Sequence, residues 1–321
     1  MYQAIFSALA PAGAQARLST LIFHRVLPQP DPLQPGEVDA RRFDQICAWL
    51  KRWFQVLPLA QAAQLNGQGR LPARPLCITF DDGYADNCEV AMPILQRHGL
   101  HATFFVTTDY LDGGVMWNDR VIEAIRAASL PMLDLQGLPG AEPADGPAQL
   151  PLQHAAQKIA AIGAVLKRIK HLAPALRQQA VGQVQQRCGA PQPQALMMRS
   201  AQVRELRDGG MGLGAHTMSH PILAALDDAA AEREIVQGRE QLERIVEQRI
   251  GLFAYPNGKP VHDFTEAHVA MVRRAGFDAA VTTAWGVARR GTDPHQLPRF
   301  TPWDRAAWRF GLRLAQNLRQ G

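Results

Sequence analysis

The sequence predicts an α/β barrel of parallel strands, distorted by a largely helical insertion, and three observations point to it. Short runs rich in Val, Ile, Phe and Thr end in polar residues, as parallel strands do when their C-termini share one face. Helical patterns lie between those runs, which is the alternation of a sheet joined by crossover helices. Several helices stop at a glycine just before the next strand, as at Gly99, Gly209 and Gly276, where the chain must turn.

In chain order, the first strand is LSTLIF at 18–23, followed by a helix over 41–53 that ends before Gln55 and Val56. The run LCITF places a strand at 76–80, and Gly99 closes a helix over 87–98. Strand 102–107 precedes an interruption at 129–195. There Pro131, Pro139, Pro143, Pro147 and Pro151 stand among Gly and Ala, and a Gln- and Lys-rich helical stretch follows over 152–187. This segment reads as an insertion between two strands of a single domain covering 1–321, serving as a lid or as an added wall beside the site. Helix 201–208, strand 211–215, helix 228–248, strand 251–255, helix 265–275 and strand 277–283 restore the rhythm, with a seventh strand at 296–300. Last comes a basic amphipathic helix over 302–319. Its apolar stripe is Trp303, Ala307, Phe310, Leu314 and Leu318, and Arg305, Arg309 and Arg313 share another face.

Composition narrows the function classes. With 47% apolar and 20% charged residues, the chain is neither disordered nor fibrous. Its four cysteines, Cys47, Cys77, Cys88 and Cys188, form no CxxC pair, so any metal site must use histidine and carboxylate. The net charge of +5 resides in the stretch after Gly286, where seven arginines face only Asp293 and Asp304. Aromatics do not alternate with these arginines as a base-stacking platform requires, so nucleic acid is not an expected partner. The C-terminal helix is expected to dock its stripe on the domain, with peripheral contact to an anionic membrane as the alternative. No apolar run reaches the ~18 residues of a membrane span. No basic residue precedes Arg17, so the first residues read as a helix rather than a cleaved signal, and the expected location is cytoplasmic or inner-membrane-associated.

Four strand ends carry the chemistry. LCITF runs into Asp81, Asp82 and Gly83; MGLGA runs into His216 and His220; LIF runs into His24; LFAYP runs into Asn257 and Gly258. Adjacent residues leaving a strand point in different directions, so Asp81 and Asp82 can take separate tasks. His216 and His220 can reach one ion if the stretch makes a helical turn or a tight loop after its strand. Two imidazoles and one aspartate suit catalytic zinc, with cobalt, nickel or iron as alternatives.

TFDDG (79–83), HTMSHP (216–221) and FAYPNG (253–258), in this order, resemble the motifs of the polysaccharide deacetylases of carbohydrate esterase family 4, the NodB homology domain. The resemblance spans about residues 18–300 with the insertion skipped. It implies a distorted barrel of seven strands and the metal-dependent removal of N-acetyl groups from amino sugars of a polysaccharide or oligosaccharide. It implies Asp81 as general base and Asp82, His216 and His220 as metal ligands, with the Tyr255 backbone N–H helping to bind the oxyanion. Two departures stand out. Ala254 and Asn257 occupy the places of the family's third-motif arginine and tyrosine, so the group orienting Asp81 is unassigned; Arg299 in LPRF reads either as a substitute or as an anchor for the C-terminal helix. LPRF also lacks the family's late histidine, but His24 matches the acid of the branch resembling poly-β-1,6-N-acetylglucosamine deacetylases. Deacylation of a lipid-linked sugar or another small amide, a metal-free carbohydrate-binding pseudoenzyme, and an iron oxygenase are the rival readings. Trp117 reads as a sugar-stacking face or as core.

Overall fold

The computed structural model describes residues 2–140, 147–191, 196–301 and 304–320; Trp303, Pro143 and the other residues of 141–146 and 192–195 in the predicted insertion lie outside them. The chain forms two compact units. One comprises Met1–Gln29, Gly36–Asp112 and Met198–Gly321, the other Pro30–Pro35 and Gly113–Met197.

The first unit is built on a seven-stranded parallel sheet. Its strands are β1 (Ser19–Phe23), β2 (Gln55–Val56), β3 (Pro75–Phe80), β4 (Thr103–Val106), β5 (Gly212–Ala215), β6 (Leu252–Ala254) and β7 (Ala279–Val281). They lie in the order β1-β3-β4-β5-β6-β7, with β2 paired to the start of β3. Nearly every strand residue is buried, as expected for a parallel sheet covered on both faces. Phe23, Phe80 and Phe104 stand side by side in register on neighbouring strands. Their rings meet at 5.4 and 4.8 Å between centroids, contacts that add to plain burial.

The predicted strand at 296–300 is instead a linker with two bridges. Leu297 pairs with Val281, and Phe300 pairs with Leu21. Between them Pro298 has no N–H to donate, and the Arg299 N–H turns to the Ala284 carbonyl at 3.0 Å. The segment still closes the barrel, because it is hydrogen-bonded to both β7 and β1. Helix 87–98 is likewise only partly regular: residues Asn87–Ala91 form a π-helical turn, and the α-helix runs over Met92–His98 until Gly99 takes a left-handed conformation. The C-terminal helix Ala307–Gln320 buries Phe310, Leu314 and Leu318 completely.

The second unit holds the helices Trp117–Ala127, Ala155–Ile169 and Pro174–Cys188 beside a hairpin of Met132–Asp134 and Gln149–Pro151. It therefore contains the insertion and also the helix before it. The predicted helical stretch over 152–187 breaks before Pro174, which disfavours helical backbone in the residue ahead of it and opens the next helix. Trp117 is core here, 9% exposed and part of the same buried cluster as Val121, Ile125 and Val184.

Candidate active site

The chemistry-bearing residues sit just past the C-terminal ends of β1, β3, β5 and β6. Asp81 continues β3, its N–H donating to the Phe23 carbonyl at 3.0 Å. The chain then turns through two left-handed residues, Asp82 at φ 76° and Gly83 at φ 91°. A glycine suits the second position for an additional reason, since a Cβ there would come within 3.3 Å of Val106. Thr217, His220 and Asn257 also adopt positive φ. Such conformations cost energy for residues with a Cβ, and their gathering at one end of the sheet is characteristic of a functional site.

Asp82, His216 and His220 converge, each offering one ligand atom within 4.8 Å of the others. Asp82 Oδ1 lies 3.5 Å from His216 Nε2 and 3.3 Å from His220 Nε2. His216 Nδ1 is 2.7 Å from the Ala254 carbonyl, which can only accept, so Nδ1 carries a proton and Nε2 is the nitrogen turned to the cluster. Burial brings the pKa of His220 down to about 4, which leaves it neutral and able to ligate at neutral pH. Asp82 stays ionised: burial would raise its pKa, but His220 and His216 beside it hold it well below the usual carboxylate range. Asp82 Oδ1 is buried and has no hydrogen-bond partner among the described residues. An orphaned carboxylate oxygen facing two imidazole nitrogens is the donor set that a divalent cation satisfies.

The H-x-x-x-H stretch is a tight loop rather than a helical turn, and the helix Asp228–Val246 moulds it. One carboxylate oxygen of Glu234 accepts from the backbone N–H groups of Met218 and Ser219, both at 2.9 Å, and the other accepts from Ser219 Oγ at 2.6 Å. Gly238 lets this helix approach, since a Cβ there would come 2.6 Å from the Thr217 carbonyl carbon. Glu234→Ala is therefore expected to weaken any divalent-cation binding at this cluster by about 10–100-fold while leaving all three candidate ligands in place, a loss measurable by competition with a chromophoric chelator.

Asp81 lies outside this triad but beside it, with Oδ2 3.9 Å from His216 Nε2. Arg299 grips it with two parallel hydrogen bonds, Nη1 to Oδ1 at 2.6 Å and Nη2 to Oδ2 at 2.7 Å. The same guanidinium donates from Nε to the Thr282 carbonyl and from Nη1 to Thr79 Oγ1. Arg299 is 1% exposed. Burial would raise the pKa of Asp81, but Arg299, followed by His216, holds it below the ordinary carboxylate value. Arg299 thus orients Asp81 from the barrel-closing segment, and among the described residues its hydrogen bonds go to Asp81, Thr79 and Thr282 rather than to the C-terminal helix.

His24 is exposed at the end of β1, near enough to help hold down the pKa values of Asp81, Asp82 and His220. Its backbone is fixed by residues that sequence reasoning missed. Asn87 Nδ2 donates to the His24 carbonyl at 2.9 Å, and Asp86 accepts from Arg25 Nε at 2.8 Å and the Val26 N–H at 3.1 Å.

Tyr255 does not take the role expected of it. Its N–H donates to the Val281 carbonyl at 3.3 Å within the sheet. Its ring is fully buried against Phe264, and its hydroxyl donates to the His295 carbonyl. The N–H is thus engaged in the sheet and the ring in the core.

A parallel barrel with an Asp-His-His cluster and a separately held aspartate at the C-terminal ends of its strands defines the class of a hydrolase with a candidate metal site. A family profile for polysaccharide deacetylase matches residues 68–130 and 168–280, just over half of the chain, and the chain belongs to that family. It is a hydrolase acting on amide bonds of polysaccharides. YxkH of Bacillus subtilis (strain 168) is 20% identical over 286 residues, which are 88% of this chain and 71% of YxkH. Among solved structures, Streptococcus pyogenes deacetylase PplD in complex with acetate aligns with a TM-score of 0.61 at 17% identity, covering 94% of this chain and 98% of that one. IcaB from Ammonifex degensii aligns at 0.60 and 18% identity, covering 96% and 98%. These two structural matches bear on the fold, which is that of NodB-type deacetylases.

Proposed function

We propose that this protein is a zinc-dependent de-N-acetylase acting on N-acetylhexosamine units of a polysaccharide. The observation that carries the reading is the orphaned Asp82 Oδ1 facing His216 and His220, with Arg299-bound Asp81 alongside. Asp82, His216 and His220 would hold the ion; two nitrogens and one oxygen suit zinc, and cobalt, nickel and iron also accept this set. When bound, such an ion brings the pKa of a water to about 7 and polarises the acetyl carbonyl.

The protein's own residues supply the rest. Asp81, ionised and fixed by Arg299, takes the proton of the attacking water as the C–O bond forms. With the Tyr255 N–H engaged in the sheet, we assign the backbone oxyanion contact to the Asn257 N–H, which has no acceptor among the described residues. His24, exposed at the strand end, protonates the sugar nitrogen as the C–N bond breaks and acetate leaves.

Acetate release from N-acetylglucosamine oligomers, with and without added zinc, tests this reading. Chelation is expected to abolish release and zinc to restore it. Asp82→Ala is expected to lose both bound metal and turnover, and His24→Ala to keep metal while turnover falls by about 10²–10⁴-fold. Undiminished release after complete metal removal would overturn the proposal, and release only from lipid-linked acyl amides would redirect it to a different substrate.

A further inference from the structure

The helices Tyr2–Leu9 and Ala307–Gln320 pack against each other, and a Cβ on Gly311 would come 2.7 Å from the Tyr2 ring. The face that docks Ala307–Gln320 is spent on the core through Phe310, Leu314 and Leu318. On its other side Trp308 and Leu312, one turn apart, are 57% and 51% exposed. Tyr2–Leu9 carries no charged residue, and its Ile5 is 39% exposed.

Charge accompanies this apolar surface. Arg305, Arg309 and Arg319 are all exposed around Trp308 and Leu312 in sequence, and the Arg309 guanidinium lies 5.1 Å from the Trp308 ring centroid. No helix among the described residues is long and apolar enough to cross a membrane. An exposed tryptophan and leucine flanked by arginines are suited to the boundary between headgroups and acyl chains, where the apolar groups enter and the cations meet lipid phosphates.

We infer that Trp308 and Leu312, with the arginines beside them, form a peripheral docking surface for an anionic phospholipid bilayer. The occupant follows from charge complementarity: Arg305, Arg309 and Arg319 are exposed beside Trp308 and Leu312, and the acidic residue of this segment, Asp304, is paired with Arg313. This surface is not the stripe predicted from sequence, of which Phe310, Leu314 and Leu318 are covered by the fold. The inference does not depend on the deacetylase reading, since none of these residues belongs to the site.

The test is sedimentation of the full chain with phosphatidylcholine vesicles, with and without roughly one-third phosphatidylglycerol. Binding is expected only to the anionic vesicles, with release at about 0.5 M salt. At about 1 kcal/mol per arginine, Arg305→Gln/Arg309→Gln/Arg319→Gln is expected to weaken binding on the order of 100-fold. Trp308→Ser/Leu312→Ser is expected to weaken it at least about tenfold, and both variants should release acetate from soluble oligomers as the wild type does. Circular dichroism confirms folding, and the salt release of the wild type needs no variant. Equal binding to neutral vesicles, no binding at all, or full binding by both folded variants would overturn the inference. So would a dimer, seen by light scattering, that Trp308→Ser/Leu312→Ser dissociates, because the face would then join two copies of the chain.

Discussion

Asp81→Asn is expected to retain its metal and to lose turnover by about 10²–10⁴-fold, the usual contribution of a positioned general base. The substitution preserves shape and leaves the Asp82, His216 and His220 cluster untouched, so metal content measured by elemental analysis should match the wild type. What disappears is the negative charge. Asparagine cannot take a proton from water near neutral pH, and its amide presents one acceptor where Arg299 now finds two carboxylate oxygens at 2.6 and 2.7 Å. The variant should therefore separate ligation from base catalysis, which two adjacent aspartates otherwise confound. Acetate release above about a tenth of the wild-type rate, with metal bound, would place the base elsewhere.

How much was legible in the sequence depended on whether the signal was local. The strand cores of β1 and β3–β7 were readable because each is a short apolar run ending in a polar residue, and the fold keeps those ends on one side. Asp81, Asp82, His216 and His220 were readable for the same reason, together with their motif spacing. The seventh predicted strand failed at Pro298, where a missing N–H and a diverted Arg299 N–H allow only two bridges. Tyr255 failed because motif position says nothing about which N–H groups the sheet consumes, and its N–H is bonded to Val281. Glu234 had no local signal: it is an ordinary helical glutamate until the loop of 216–220 lands on it. Asp86 and Asn87 lay within a few residues of the recognised motif, yet their partners are His24, Arg25 and Val26, about sixty residues earlier.

Arg299 is the extreme case of a non-local partner, lying 218 residues from the carboxylate it holds, and its removal is expected to have the second large effect. In Arg299→Met the Asp81 carboxylate would stay buried without its bidentate partner, and breaking such a pair from one side typically costs about 3–5 kcal/mol. Thermal or denaturant unfolding should show that loss. A merely structural arginine would give the same result, so the pH profile of acetate release is the discriminating measurement. Burial pushes the Asp81 pKa up and Arg299 leads the groups that hold it down; without the arginine, the pKa rises, less base is ionised at a given pH, and activity returns only as pH increases. The acid limb of kcat/KM should accordingly move to higher pH in Arg299→Met. Arg299→Lys restores the charge but not the two parallel hydrogen bonds, so its acid limb should lie between those of wild type and Arg299→Met, with turnover still reduced because the carboxylate is no longer held in one orientation. An unshifted limb in a folded Arg299→Met protein would mean that the pairing serves stability alone.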